Sequence, residues 1–201
     1  MKNALRQGGP NALNLCSTTA GAYLGWAYLP DIVTKPGQAH LDGVVIDWES
    51  IPGTSTTYAD RFDEGKTATH EVGHWLDLEH TFYGGCSAKG DFVDDTPPQK
   101  TPTSGCPEGK DTCSAPGLDP IHNHMDYSYD SCYGVHTRPD ARDERRLAAV
   151  PSAAVAVTRS DGPHREGGCS RPRATASDSD LAWASAVLWP VPSSTSARRR
   201  A

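Results

Sequence analysis

His70-Glu71-Val72-Gly73-His74-Trp75-Leu76-Asp77-Leu78-Glu79-His80 gathers three imidazoles and a central carboxylate into eleven residues. His70 and His74 are four apart, so on a helix they lie on one face and can grip one metal ion. Glu71 follows the first ligand, where a carboxylate can take a proton from water that the metal activates. His80 comes six residues after His74, so the chain has to leave the helix sharply to bring it back. Glycine is the usual residue for such a turn because it takes positive φ without penalty. Here the turn falls on Asp77, and Asp tolerates the left-handed region better than most residues. Zinc favours four ligands, and a catalytic zinc keeps one position for water; three histidines fill the remaining three. An H-E-x-x-H match alone occurs by chance on surface helices, and the third histidine at this offset sharply reduces that reading.

Outward from this run the chain divides in two. All six lysines lie before Cys132, and from Gly134 onward there is no Ile, Phe, Asn, Gln, Lys or Met. Residues 1–132 hold eight basic and eighteen acidic side chains, and residues 133–201 hold eleven and seven. The second part is rich in Ala, Ser, Pro and Arg without sustained periodicity, which predicts disorder. The first part predicts mixed structure. Residues 12–15, 22–29 and 43–48 read as strands, and Gly65-Lys66-Thr67-Ala68-Thr69 leads into the helix of the histidine run. Residues 84–120 carry turn signals throughout and predict a long irregular loop, which needs disulfides or bound ions to hold it.

The net charge of −6 and pI near 5.7 speak against nucleic-acid binding. No apolar run is long enough to span a membrane. The chain opens Met1-Lys2-Asn3-Ala4-Leu5-Arg6 with no apolar signal core. Six cysteines occur without a C-x-x-C pair. Four of them, Cys86, Cys106, Cys113 and Cys132, bracket the irregular segment, as disulfides in an oxidising compartment would. That signature and the missing signal disagree, so the expectation is that N-terminal sequence is missing.

A second motif is His122-Asn123-His124-Met125-Asp126-Tyr127-Ser128. A methionine in a tight turn some tens of residues after the third histidine would form a soft apolar floor beneath the metal. Tyr127 would place its hydroxyl where charge develops on a substrate carbonyl oxygen. His122 and His124 read as packing or surface histidines, the three-histidine set being complete already.

With both motifs in place, the chain resembles the pappalysin family of metzincin zinc endopeptidases, especially its secreted bacterial and fungal members. The matching residues are Thr67-Ala68-Thr69-His70-Glu71-Val72-Gly73-His74-Trp75-Leu76 and His80-Thr81-Phe82. So do Gly90-Asp91-Phe92-Val93-Asp94-Asp95-Thr96-Pro97, Cys106-Pro107, Asp111-Thr112-Cys113, Asn123 and Met125-Asp126-Tyr127-Ser128 match. The chain departs from the family at Asp77 and at His124, where an aromatic is usual.

The resemblance implies an α+β metzincin domain over residues 1–132, truncated at its N-terminus, with the zinc helix at the floor of a cleft and residues 21–29 as the cleft's edge strand. It implies zinc on His70, His74 and His80, Glu71 as general base and Tyr127 as oxyanion stabiliser. It pairs Cys86 with Cys113 and Cys106 with Cys132, leaving Cys16 and Cys169 over. It makes Asp91, Asp94, Asp95 and Thr96 candidate calcium ligands, against the alternative of a solvated acidic loop. It implies a secreted monomer acting on protein or peptide substrates, with no nucleic acid or membrane partner. The rival readings are an inactive zinc-binding remnant and a structural zinc protein; the second leaves Glu71 without a purpose.

Beyond the Met-turn the family continues with an F-T-P-G-Q-like stretch. Codons allowed for Tyr133-Gly134-Val135-His136-Thr137-Arg138-Pro139-Asp140, shifted by one nucleotide, spell such a stretch. The expectation is therefore that residues 133–201 are read out of frame.

Overall fold

A computed structural model describes residues 2–9, 11–54, 56–134, 156–157 and 186–190. A short helix α1 (Lys2–Leu5) precedes β1 (Asn14–Thr18), β2 (Tyr23–Tyr28) and β3 (Val44–Asp47). Helix α2 (Lys66–Trp75) follows, and two short strands, β4 (Ala156–Val157) and β5 (Ala186–Pro190), complete the set. The sheet order is β4-β1-β3-β2-β5.

β3 lies between β1, to which it is parallel, and β2, to which it is antiparallel. All four of its residues, Val-Val-Ile-Asp, are buried, as a strand covered on both faces requires. Successive side chains alternate between the faces. Val45 joins Trp26, Tyr28 and Ile32 on one face. Val44 and Ile46 meet Ala27 and Trp75 of α2 on the other. The helix is therefore fixed to the sheet by apolar burial, at about 1.5–3 kcal/mol for each fully buried aliphatic side chain.

The first predicted strand begins two residues later than expected. The Asn14 side chain holds the Gln7 backbone at both its N–H and its C=O, and the ladder to β3 runs from Leu15 opposite Val44 to Thr18 opposite Asp47. The other two strands and the helix fall where the sequence places them.

Residues 76–129 contain no helix or strand, a longer irregular stretch than the predicted 84–120. Disulfides join Cys86 to Cys113 and Cys106 to Cys132, the pairing that the resemblance implies. Cys16 is also disulfide-bonded; Cys169 lies outside the described residues. Buried polar groups carry the rest of the order. The Asp126 carboxylate accepts from Gln99 Nε2 at 2.9 Å, Thr103 N at 3.0 Å and Tyr127 N at 2.8 Å, and from the Thr103 hydroxyl. Gln99 in turn accepts from the Thr81 hydroxyl at 2.7 Å.

Of residues 133–201, predicted to be disordered, the described pieces are 133–134 and the two short strands. Tyr133 packs with Leu24, Tyr58 and Phe62, and its hydroxyl donates to the Asp126 carbonyl at 2.7 Å. β4 and β5 are apolar runs, Ala-Val and Ala-Val-Leu-Trp-Pro, with the composition that an open sheet edge accepts. The remainder of the tail, and with it the frame-shift expectation, lies outside the described residues.

Candidate metal centre

The end of α2 makes the site possible. Asp77 adopts φ 81°, the left-handed turn expected there. The Leu78 N–H then bonds back to the Gly73 carbonyl at 3.0 Å and the Asp77 N–H to the His74 carbonyl at 3.0 Å, a Schellman ending. This reversal aims the Leu78 carbonyl at His74, whose Nδ1 donates to it at 2.7 Å. The same reversal sends His80 back beneath the helix.

His70 is oriented from the other side. Its Nδ1 donates to the His124 carbonyl at 2.6 Å. With their protons committed at Nδ1, His70 and His74 turn the lone pairs of Nε2 inward. His74 Nε2 lies 3.0 Å from His70 Nε2 and 3.1 Å from His80 Nε2. Burial first, then the neighbouring imidazoles, hold His70 and His80 well below the ordinary histidine range, and burial lowers His74 to about 4. All three rings are therefore neutral near pH 7. Inward-facing lone pairs this close repel one another unless a cation lies among them, so the donor set fits a zinc-like metal.

Glu71 lies fully buried beside them, and neither of its carboxylate oxygens has a hydrogen-bond partner in the structure. Burial raises its pKa well above the usual carboxylate value. A buried carboxylate without a partner is costly, and a nearby cation and a water are what such a group needs. Strand β2 passes directly over it: a Cβ at Gly25 would come within 3.0 Å of Glu71 Oε1 and 2.8 Å of the Val45 carbonyl.

The Met-turn closes the floor. Met125 N donates to Asn123 Oδ1 at 2.9 Å, and the Met125 carbonyl accepts from Thr81 N at 3.2 Å. A Cβ at Gly73 would overlap the Met125 sulfur, so any larger residue there would have to displace the Met125 side chain. The Tyr127 ring lies 4.7 Å from the His80 ring and 5.7 Å from that of His70. Burial, then the charges of Glu71 and Asp126, raises the Tyr127 pKa, so its hydroxyl keeps its proton. Phe82 stacks on His80 with centroids 4.7 Å apart.

The structure thus brings together His70, Glu71, His74, His80, Met125 and Tyr127. The acidic loop is different. Asp91 is buried, its carboxyl raised to about 6 by that burial, with a hydrogen bond from Val93 N acting against the rise. Asp94 and Asp95 are exposed. Among the described residues, two groups of three metal-ligating side chains converge: the three histidines, and Cys106 with His122 and Cys132. The cysteines of the second group are bonded to each other. His122 bonds the Cys132 carbonyl at 2.7 Å, and His124 stacks on Tyr133. The sequence reading missed Gly25, Asp126 and the carbonyls of Leu78 and His124. Asp126 and Gly25 stand within quoted segments, but nothing local in the sequence assigns them a partner.

Three imidazoles closing on one point beside a buried carboxylate make a candidate metal centre. Residues 24–145 match the family described as Pregnancy-associated plasma protein-A. Extracellular metalloprotease 1 of Coccidioides posadasii is 52% identical over 140 residues, covering 69% of this chain and 50% of that protein. An extracellular metalloprotease of Pyricularia oryzae is 54% identical over 140 residues, with 68% and 48% covered. Mature mirolysin of Tannerella forsythia in complex with a cleaved peptide superposes with a TM-score of 0.57 at 35% identity, over 72% of this chain and 54% of that one. The chain belongs to the pregnancy-associated plasma protein-A, or pappalysin, family of metallopeptidases. It spans about half the length of the curated relatives it matches.

Proposed function

We propose that this chain is a secreted zinc endopeptidase that cleaves peptide bonds by water attack. The observation that carries the reading is the convergence of three Nε2 atoms at 3.0–3.1 Å beside the unpartnered Glu71 carboxylate. His70, His74 and His80 would hold the zinc, which when bound polarises the scissile carbonyl and acidifies its water. Glu71 takes the proton from the attacking water and delivers it to the leaving amine. The Tyr127 hydroxyl, kept protonated, donates toward the oxygen where charge develops. The outer edge of β2 above Glu71, which β5 pairs with in this structure, is where an extended peptide would take main-chain hydrogen bonds.

Secretion is supported by the relatives named extracellular and by the disulfides. Among the described residues no helix is long and apolar enough to cross a membrane. A monomer is the reading for assembly. Calcium at the Asp91 loop rests on the buried Asp91 carboxylate, with Asp94, Asp95 and Thr96 as the other candidates. Loss of thermal stability in a calcium-selective chelator, restored by calcium, tests it.

The test of the main reading is Glu71→Ala. The variant keeps one zinc per chain while peptide turnover falls roughly 10²–10⁴-fold. Retained turnover refutes the role of Glu71. Zinc without turnover in the unaltered chain makes the protein an inactive remnant.

A further inference from the structure

The cleft edge of the sheet is already occupied. β2 shares its inner edge with β3, and its outer edge pairs antiparallel with β5. Trp189 stands opposite Gly25, Leu188 opposite Trp26, Val187 opposite Ala27 and Ala186 opposite Tyr28. Gly25 is the residue whose backbone presses on Glu71. A strand added on this edge therefore passes beside the carboxylate; the ladder is regular from Gly25 to Tyr28 and shifts register between Tyr23 and Gly25.

We propose that Ala186–Pro190 is an intramolecular occupant of the substrate strand, laid antiparallel on β2 where an extended peptide would lie, and that it competes with substrate. An edge strand offers a row of N–H and C=O groups that any extended chain can satisfy. Pro190 falls at the end of the ladder, opposite Tyr23, where a missing N–H costs least. About fifty residues separate Gly134 from Ala186, and a strand tethered in the same chain competes at an effective concentration rather than as a free ligand. Such an occupant raises the apparent KM several-fold without abolishing turnover.

The kinetic part of this inference rests on the reading of the cleft as a peptidase; the occupancy does not. The double variant Val187→Pro with Leu188→Pro keeps chain length and charge, and it breaks the ladder whichever of the two residues faces β2. Hydrogen exchange is measured in zinc-loaded chains carrying Glu71→Ala, with and without the two prolines. The expected result is slow exchange at residues 186–189, with faster exchange in β2 once the prolines are present. Unprotected amides at 186–189, or β2 amides indifferent to the prolines, overturn the proposal. In chains with Glu71 intact, KM for a quenched fluorescent peptide falls about 3–10-fold in the double variant while kcat stays constant. A synthetic peptide spanning residues 184–193 then restores the higher KM as a competitive inhibitor. An unchanged KM overturns competition. If no chain cleaves peptide, the peptidase reading fails and the exchange experiment alone decides the occupancy.

Discussion

The residues before Leu76 and those after it build one site by opposite means. Before it, β1–β3 and α2 are ordered by apolar burial, with Val44, Val45, Leu24 and Phe62 fully enclosed. This part places His70, Glu71 and His74. After it, residues 76–129 have neither helix nor strand. Their enclosed side chains are largely polar: Gln99, Thr103, Asp119, Asn123, Asp126 and Ser128. This part places His80, Met125 and Tyr127. The geometry of a site does not need regular structure where buried polar groups hold one another in place. The cost is brittleness, because an apolar core accepts a smaller residue more readily than a polar network accepts the loss of its hub.

The most disruptive test of this contrast is Asp126→Ala. It removes the acceptor of the Thr103 hydroxyl and of the Thr103 and Tyr127 backbone N–H groups at once, and one partner of the Gln99 amide, for an expected loss of about 3–5 kcal/mol. Zinc binding should fail with it, measured as metal retained after dialysis and as a lowered Tm. On the other side, Val45→Ala should cost about 2 kcal/mol and leave zinc stoichiometry at one. If Val45→Ala loses zinc while Asp126→Ala keeps it, the contrast is wrong.

A smaller effect arises where the halves meet. Asp130 follows the Met-turn, yet its Oδ2 accepts from Glu64 N at 2.9 Å and Lys66 N at 3.4 Å at the start of α2. Burial raises its pKa to about 6. Between about pH 4 and 6 the folded chain therefore holds more protons than the unfolded one, and stability falls as pH rises through that window. Asp130→Asn imitates the protonated form. It should raise Tm at pH 7.5, by an amount worth roughly 1–2 kcal/mol, and the gain should vanish near pH 4. A gain independent of pH removes Asp130 as the titrating group. The smallest effect is at Asp77. Asp77→Gly relieves a left-handed aspartate and should stabilise by up to about 1 kcal/mol with zinc affinity unchanged; calorimetry resolves a shift of that size.

How much of this could be read from the chain follows the same division. His70, Glu71, His74, His80 and Asp77 were legible because helix periodicity and turn chemistry act over a few residues. The β2 and β3 strands were legible because their apolar runs are continuous. Met125, Tyr127 and the disulfide pairing came through likeness to a known family. The Asp126 network was not legible: Gln99 and Thr103 reach it across more than twenty residues, and amides and hydroxyls carry no periodicity. The carbonyls of Leu78 and His124 were hidden for another reason, since every residue has one and only the fold aims it. β4 and β5 escaped because edge pairing by a short apolar run depends on an edge being open.

Gly73 lets the helix come so close to the Met125 sulfur that a Cβ there would overlap it. With the thioether 3% exposed, peroxide can reach it only when the turn swings away from the helix. Conversion to the sulfoxide would place a polar group in that apolar contact. The rate of Met125 oxidation is therefore a chemical clock for opening of this turn, readable by mass spectrometry.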